Sequence, residues 1–390
     1  MIATLQGRSG VNGVLSSSGF YLPLYDSGSG AVNTTLTRGV GSPTFSRSTA
    51  GACRLSTGLW KLDVASGVAR SHYWEFSAGV YTYGGYLSES AATQILTAPR
   101  DMTNAAWTKG ATVTVAQTGT GIDGVVNACS RVTFGAVQAT NTVLQTITAA
   151  ASSRTYSAFL TRVTGTGVIE ITQDGVTFTD VTSQINSTSG VQVQLNASQL
   201  NAVIGIRGAT NGDVILVDCN QFEAGNFATT PIPAAGSRNA DILSYTYAGN
   251  ANGALGTFYV ETATLWSTSA PAATAVLTFD NLSAAPMYTD VSRASTEIGV
   301  SDGTGAVTKT GLAAMHTGVR KRASSWGGTT MSITGDGVAV DNGAFDGSFG
   351  STLINIMSNA TGGGNWSGTA KNVRIWTTQL ANQQLQAITS

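Results

Sequence analysis

Between Thr112 and Val217, apolar and polar residues alternate in short runs separated by glycine, asparagine and aspartate. The runs are Thr112–Val115, Val143–Ile147, Tyr156–Leu160, Val168–Ile171, Val191–Leu195, Val203–Ile206 and Asp213–Val217. A period of two places every second side chain on one face of a strand. Gln173-Asp174-Gly175 and Thr210-Asn211-Gly212-Asp213 have the residues that tight turns require. Seven or eight runs this short predict an antiparallel β-sandwich of jelly-roll type over 111–230. Composition fits strands joined by small-residue turns. Glycine supplies 47 of 390 residues without a Gly-x-y period, and 42% apolar content argues against disorder throughout.

A second strand field fills 251–390. Its clearest runs are Phe258–Leu265, Ala275–Phe279, Met331–Ile333, Val338–Val340, Leu353–Met357 and Val373–Trp376. Turns are expected at 301–305 and 361–364. After Trp376 the spacing of Leu380, Leu385 and Ile388 predicts a short helix with one apolar face. This ending resembles the last strand and helix of concanavalin-A-like, laminin-G-like sandwiches. Ala381 stands where that pattern has a capping serine, which weakens the helix start by about 1 kcal/mol. Gln384 replaces the usual glutamate. The first sandwich is similar in its strand order to carbohydrate-binding-module jelly rolls, from which glycan binding does not follow.

The expected organisation is therefore all-β: an N-terminal arm over 1–43, an adaptor segment over 44–110, the jelly roll, a linker over 231–250 and the second sandwich. The arm is rich in Gly and Ser, and Phe20, Tyr21, Leu22 and Tyr25 give it an apolar cluster suited to assembly contacts. Pro231, Pro233 and Gly236 stiffen and turn the linker.

Four tracts stand out. Phe45-Ser46-Arg47-Ser48-Thr49-Ala50 is followed by Val64-Ala65-Ser66-Gly67-Val68-Ala69-Arg70, then by Gly85-Tyr86-Leu87-Ser88-Glu89 with Thr93-Gln94, then by Asn104-Ala105-Ala106-Trp107-Thr108-Lys109. Farther on come Gln221-Phe222-Glu223, Gly225, Phe227-Ala228-Thr229-Thr230-Pro231-Ile232-Pro233, Arg238, Ala240 and Asp241. In this order and spacing the tracts resemble a family of tail and virion proteins of tailed bacteriophages. Phe222 and Pro231 depart from the leucine and tyrosine usual there. The resemblance implies a structural component of a virion, assembled in the host cytoplasm with other virion proteins and copies of itself, a trimer being the first expectation. Within the tracts, Arg47, Arg70 and Glu89 are expected to fix chain geometry by hydrogen bonding rather than to catalyse. Phe45 and Trp107 are expected to pack under the following sheet.

Little else points to chemistry. Cys53, Cys129 and Cys219 are far apart and form no CxxC pair. His72 has Glu75 three residues on, and His316 stands alone. There is no Gly-x-Ser-x-Gly elbow and no phosphate loop. Glu170 and Glu261 sit singly on strands, without the paired carboxylates of a glycosidase. Calcium is a candidate ligand at Asp302-Gly303, Asp336-Gly337 and Asp341-Asn342-Gly343, where only two or three oxygen donors can be named against the six to eight it takes. Twenty basic against twenty-one acidic residues leave no footprint for a nucleic-acid duplex. No stretch is apolar enough to span a membrane, and the first residues lack the pattern of a secretory leader. Of Trp266, Trp326, Trp366 and Trp376, Trp326 and Trp366 lie near glycine-rich loops and are the candidate platforms for a host-surface glycan, the rival function. The basic cluster Arg320, Lys321 and Arg322 is expected at a solvated strand end.

Overall fold

The computed structural model describes residues 13–77, 80–136, 140–265, 275–280, 287–290, 297–302, 306–312, 318–346, 351–362 and 364–390. The chain is all-β, with two antiparallel sandwiches and a short C-terminal helix. Trp266 and His316, and the Gly303 half of one calcium candidate, lie outside the described residues.

Two five-stranded sheets make the first sandwich. One runs Thr108–Lys109, Thr142–Thr146, Val203–Gly208, Ile169–Thr172, Thr179–Asp180. The other runs Thr114–Gly119, Cys129–Thr133, Val214–Ala224, Ser152–Thr164, Val191–Gln199. The alternating residues interleave between them: Val143, Tyr156, Ala158, Leu160, Ile169, Ile171, Ile204, Ile206, Ile215 and Val217 are buried in one cluster. Trp107 closes one end of that cluster, as its tract suggests, with its Nε1 donating to Ala98 O at 3.1 Å. Cys129–Thr133 is a strand that the alternation does not announce.

The second sandwich is assembled from both ends of the chain. Its large sheet runs Asp26–Gly28, Ala31–Val32, Arg70–Ser77, Val80–Ser88, Gly368–Trp376, Leu255–Thr264, Arg320–Gly327, Thr330–Gly335, Asp341–Ala344. Phe20–Leu22 also pairs with Gly368–Trp376, in the register Phe20 to Ile375. The facing sheet runs Ala306–Lys309, Ile298–Ser301, Met287–Asp290, Ala275–Asp280, Leu353–Ile356, Ile242–Thr246, Thr44–Ser46. The first sandwich is thus an insertion between Ser88 and Ile242 in a discontinuous second one.

This topology corrects the expected boundaries. The segment expected as an arm supplies Phe20–Leu22, Asp26–Gly28 and Ala31–Val32 to the large sheet, and Thr44–Ser46 of the expected adaptor joins the facing sheet. Phe20 and Leu22 are fully buried and therefore are not assembly contacts; Phe20 meets Tyr245 edge-on, with ring centroids 5.4 Å apart. Tyr21 lies under the Arg374 guanidinium at 3.6 Å and donates its hydroxyl to Asn372. Of the four, Tyr25 is on the surface, 52% exposed. The expected linker is also structured: Gly236–Arg238 pairs with Ala92–Gln94, and Ile242–Thr246 lies inside the facing sheet. Val338–Val340 is not a strand. Asp336 and Gly337 both take positive φ, at 50° and 73°, and the turn they make delays the next strand to Asp341.

The helix forms at Asn382–Thr389 and buries Leu385 and Ile388 against Tyr259, Ala323 and Trp376. Val14 and Leu15 pack on the same cluster, so both ends of the described chain cover one outer face of the large sheet. Ala381 has no side-chain oxygen to offer, but Gln384 reaches back and accepts the Ala381 N–H at 3.0 Å. No described helix is long and apolar enough to cross a membrane.

Candidate functional site

Residues from three of the four tracts and from the run 221–241 converge on one buried cluster. Arg47 comes from just after the strand Thr44–Ser46, Arg70 from the start of Arg70–Ser77, and Glu89 from just past Val80–Ser88. Thr229, Thr230, Arg238 and Asp241 come from the chain returning out of the first sandwich. Asp241 joins two arginines: Arg47 Nη1 lies 2.7 Å from Oδ1, and Arg70 Nη2 pairs with Oδ2. Arg70 Nη1 also lies 2.9 Å from Glu89 Oε2 and donates to Ala52 O at 2.6 Å. Arg238 approaches Glu89 at 3.4 Å and donates to Ser90 O at 3.1 Å. Thr230 seals the centre, donating its N–H to Glu89 Oε1 at 2.7 Å and its hydroxyl to Oε2 at 2.6 Å.

Burial sets the electrostatics. The side chains of Arg47, Arg70, Glu89 and Asp241 expose nothing to solvent. Desolvation pushes the Glu89 carboxyl up, but Arg238, Arg70 and the Thr230 hydrogen bonds outweigh it and hold its pKa at about 2. Desolvation also opposes the Arg70 charge, and Asp241 and Glu89 more than offset it, leaving its pKa above the ordinary value. For Arg47, burial prevails and the pKa is lowered. Glu223 lies next to this centre, accepting from Gln221, the Thr229 amide and the Thr229 hydroxyl; burial pushes its carboxyl up. Breaking such a pair leaves a buried charge without its partner, which costs about 3–5 kcal/mol. The cluster excludes substrate and water alike. What it can do is fix two sandwiches against each other.

A groove opens where the cluster ends. The hairpin Gly51–Arg54 and Trp60–Val64 has its base on Arg70 and its tip against the first sandwich. Trp60 packs edge-on against Phe159, centroids 5.4 Å apart, and against Cys219. Arg54 stacks over Trp60 and Tyr81, with its guanidinium carbon 5.2 and 5.6 Å from the ring centroids. Asp218 stands on the opposite wall. A bulge at Cys219, whose φ of 43° is in the left-handed region, sits where the register with Ser152–Thr164 shifts. Asp218 Oδ1 accepts the Cys219 N–H at 2.8 Å, and Arg100 bridges Asp218 and Asp123 at 2.7 and 2.8 Å. Gly58, at a φ of 86°, leaves room for the Tyr81 ring that a Cβ would overlap, and a Cβ on Gly121 would displace the Arg100 guanidinium. The cavity measures about 370 Å³.

Other sequence candidates scatter. Trp326 and Trp366 are fully buried and are not glycan platforms. Gly256 on the paired strand makes room for the Trp326 ring and Gly368 for the Trp366 ring, and the indole N–H groups donate to Asn252 O and Ala263 O, each at 3.0 Å. Glu170 pairs with Arg207 at 2.7 Å in the first sandwich, and Glu261 lies 3.7 Å from Lys371 in the second. Arg322 is buried rather than at a solvated strand end, donating to Thr262 at 2.5 Å; burial lowers its pKa to about 10. His72 is buried and accepts the Arg54 N–H on Nδ1 at 3.1 Å, and burial pushes its pKa down to about 3. All three cysteines are buried free thiols, raised by burial. Asp302, Asp336 and Asp341 are apart in use, accepting from Asp346 N, accepting from Lys321 N and pairing with Lys309. Among the described residues no group of three His, Cys, Asp or Glu could hold a metal ion. Sequence reasoning missed the groove, whose only signal is glycine at turns on two distant segments.

No protein-family model matches the sequence, and no curated protein does. Among solved structures, the chain is similar to Ruminococcus gnavus IT-sialidase CBM40 bound to alpha2,3 sialyllactose, at 12% identity over 38% of this chain and 92% of that one, TM-score 0.30. It is also similar to mouse laminin alpha1 chain domains LG4-5, at 9% identity over 65% and 92%, TM-score 0.26. The tandem CBM22 domains of Paenibacillus barcinonensis Xyn10C match at 10% identity over 75% and 100%, TM-score 0.27. At such scores these likenesses carry no argument about this chain. Its architecture rests on the strands described above.

Proposed function

We propose that the chain is a non-catalytic structural component of a bacteriophage virion. It acts as a rigid two-sandwich body, assembled with other virion proteins and with copies of itself. One observation carries the reading. Most charged residues of the tracts, Arg47, Arg70, Glu89, Arg238 and Asp241, are buried together in one ion-paired cluster. Such a cluster suits a structural joint better than an active centre. A joint of buried ions also specifies one relative orientation, as repeated subunits need when they pack into a particle.

Mass spectrometry of gradient-purified particles, produced from a host carrying the intact phage genome, tests this. The chain is expected at a stoichiometry of several copies per particle, and a deletion of its gene is expected to leave particles incomplete. Particles that are complete and infectious without it would overturn the reading.

A further inference from the structure

We propose that the groove between the hairpin tip and the first sandwich is a binding site for a neutral saccharide. The proposal rests on the groove itself and is independent of whether the chain belongs to a virion.

Size, lining, charge and rigidity argue for this ligand class. The cavity of about 370 Å³ lies at the lower end of the roughly 300–1,000 Å³ of small-molecule sites, and at a junction of modules where such sites concentrate. Its apolar surface comes from Leu59, Ile122 and Leu216, with a small exposed part of Trp60, and offers contacts to the C–H groups of a sugar ring. Its polar surface is mostly hydroxyl: Thr57, Thr120, Thr161, Thr188 and Ser189 all border it. Its charges balance: Asp218 and Asp123 share Arg100, Arg54 brings a second cation to the wall, and the Ile122 N–H donates to Asp218 at 2.8 Å. An ionic ligand therefore finds no net field to enter, whereas a hydroxyl-rich one can exchange hydrogen bonds along the whole rim. The walls are also fixed in advance. The hairpin is anchored through Ala52 O to Arg70, so little ordering is left to oppose binding.

Saturation-transfer difference NMR on the full chain tests this, with glucose, galactose, N-acetylglucosamine, rhamnose and their common disaccharides as probes. A second arm, affinity gel electrophoresis in purified O-polysaccharide and capsular polysaccharide, separates free sugars from a cell-surface source. At least one probe is expected to bind in the millimolar range or tighter. Thr161→Tyr fills the floor and Thr188→Trp crosses the exposed rim; both are expected to abolish that binding with thermal midpoints unchanged. If the floor variant fails to fold, the rim variant decides. No binding by any probe in either arm, or binding that survives Thr188→Trp, would overturn the proposal.

Discussion

At the scale of single residues, the account turns on Asp241 and Glu89. Asp241 satisfies two buried guanidiniums, so Asp241→Ala should destabilise the fold by about 3–5 kcal/mol, measured as a shift of the denaturant midpoint. A loss below about 1 kcal/mol would mean that the cluster is not the joint. Glu89 adds a pH signature. Its folded pKa of about 2 lies below the ordinary carboxylate value of 4.5, so the folded state favours the ionised form. The stability it contributes is full above the unfolded value and is lost as pH falls toward the folded one. The thermal midpoint of the native protein should therefore fall between pH 4.5 and 2, and the gap between it and Glu89→Gln should narrow across the same window. Glu223 acts with the opposite sign, since its raised carboxyl disfavours folding as pH rises, which makes the comparison with Glu89→Gln necessary. These roles were partly legible. The arginines and Glu89 stand in tracts whose spacing marks them as structural, but nothing in the sequence says that Asp241 holds two of them, because their partners lie 194 and 171 residues away.

At the scale of elements, strands were readable and their partners were not. Alternation such as Val191 to Leu195 reports a half-buried strand whatever its neighbour. Pairing reports contact across the whole chain: Phe20 opposite Ile375 leaves no local trace. The opening segment reads as an arm because it is short in apolar residues, yet Phe20, Leu22 and Leu24 in it are fully buried. Two elements give tests. Removing residues 1–25 should expose half of the strand Gly368–Trp376 and bring the thermal midpoint down sharply, with aggregation at the open edge; an unchanged midpoint would restore the arm. In the hairpin, Trp60→Ala should cost about 3–5 kcal/mol through lost packing on Phe159 and Cys219, read from chemical denaturation. Trp326 and Trp366 carry the complementary lesson. The glycines that follow Trp326 in sequence suggest an exposed loop, but its ring packs inside the core against Gly256 on the paired strand.

At the scale of the molecule, the first sandwich leaves the second after Ser88 and returns before Ile242, and the ion cluster sits where the two crossings meet. Two crossings held by buried charge resist rotation more than one flexible linker does. The 231–250 segment was legible as a boundary from Pro231, Pro233 and Gly236, but its strands were not, since three to five residues are too few to show a period. As proposed above, this two-sandwich body is part of a virion. A cryo-electron-microscopy map of the assembled particle tests it most directly. The account predicts density for both sandwiches in one fixed orientation, with the Arg70–Asp241 joint intact and neighbouring subunits packed against them. Sandwiches that turn independently, or a particle that lacks the chain altogether, would contradict it.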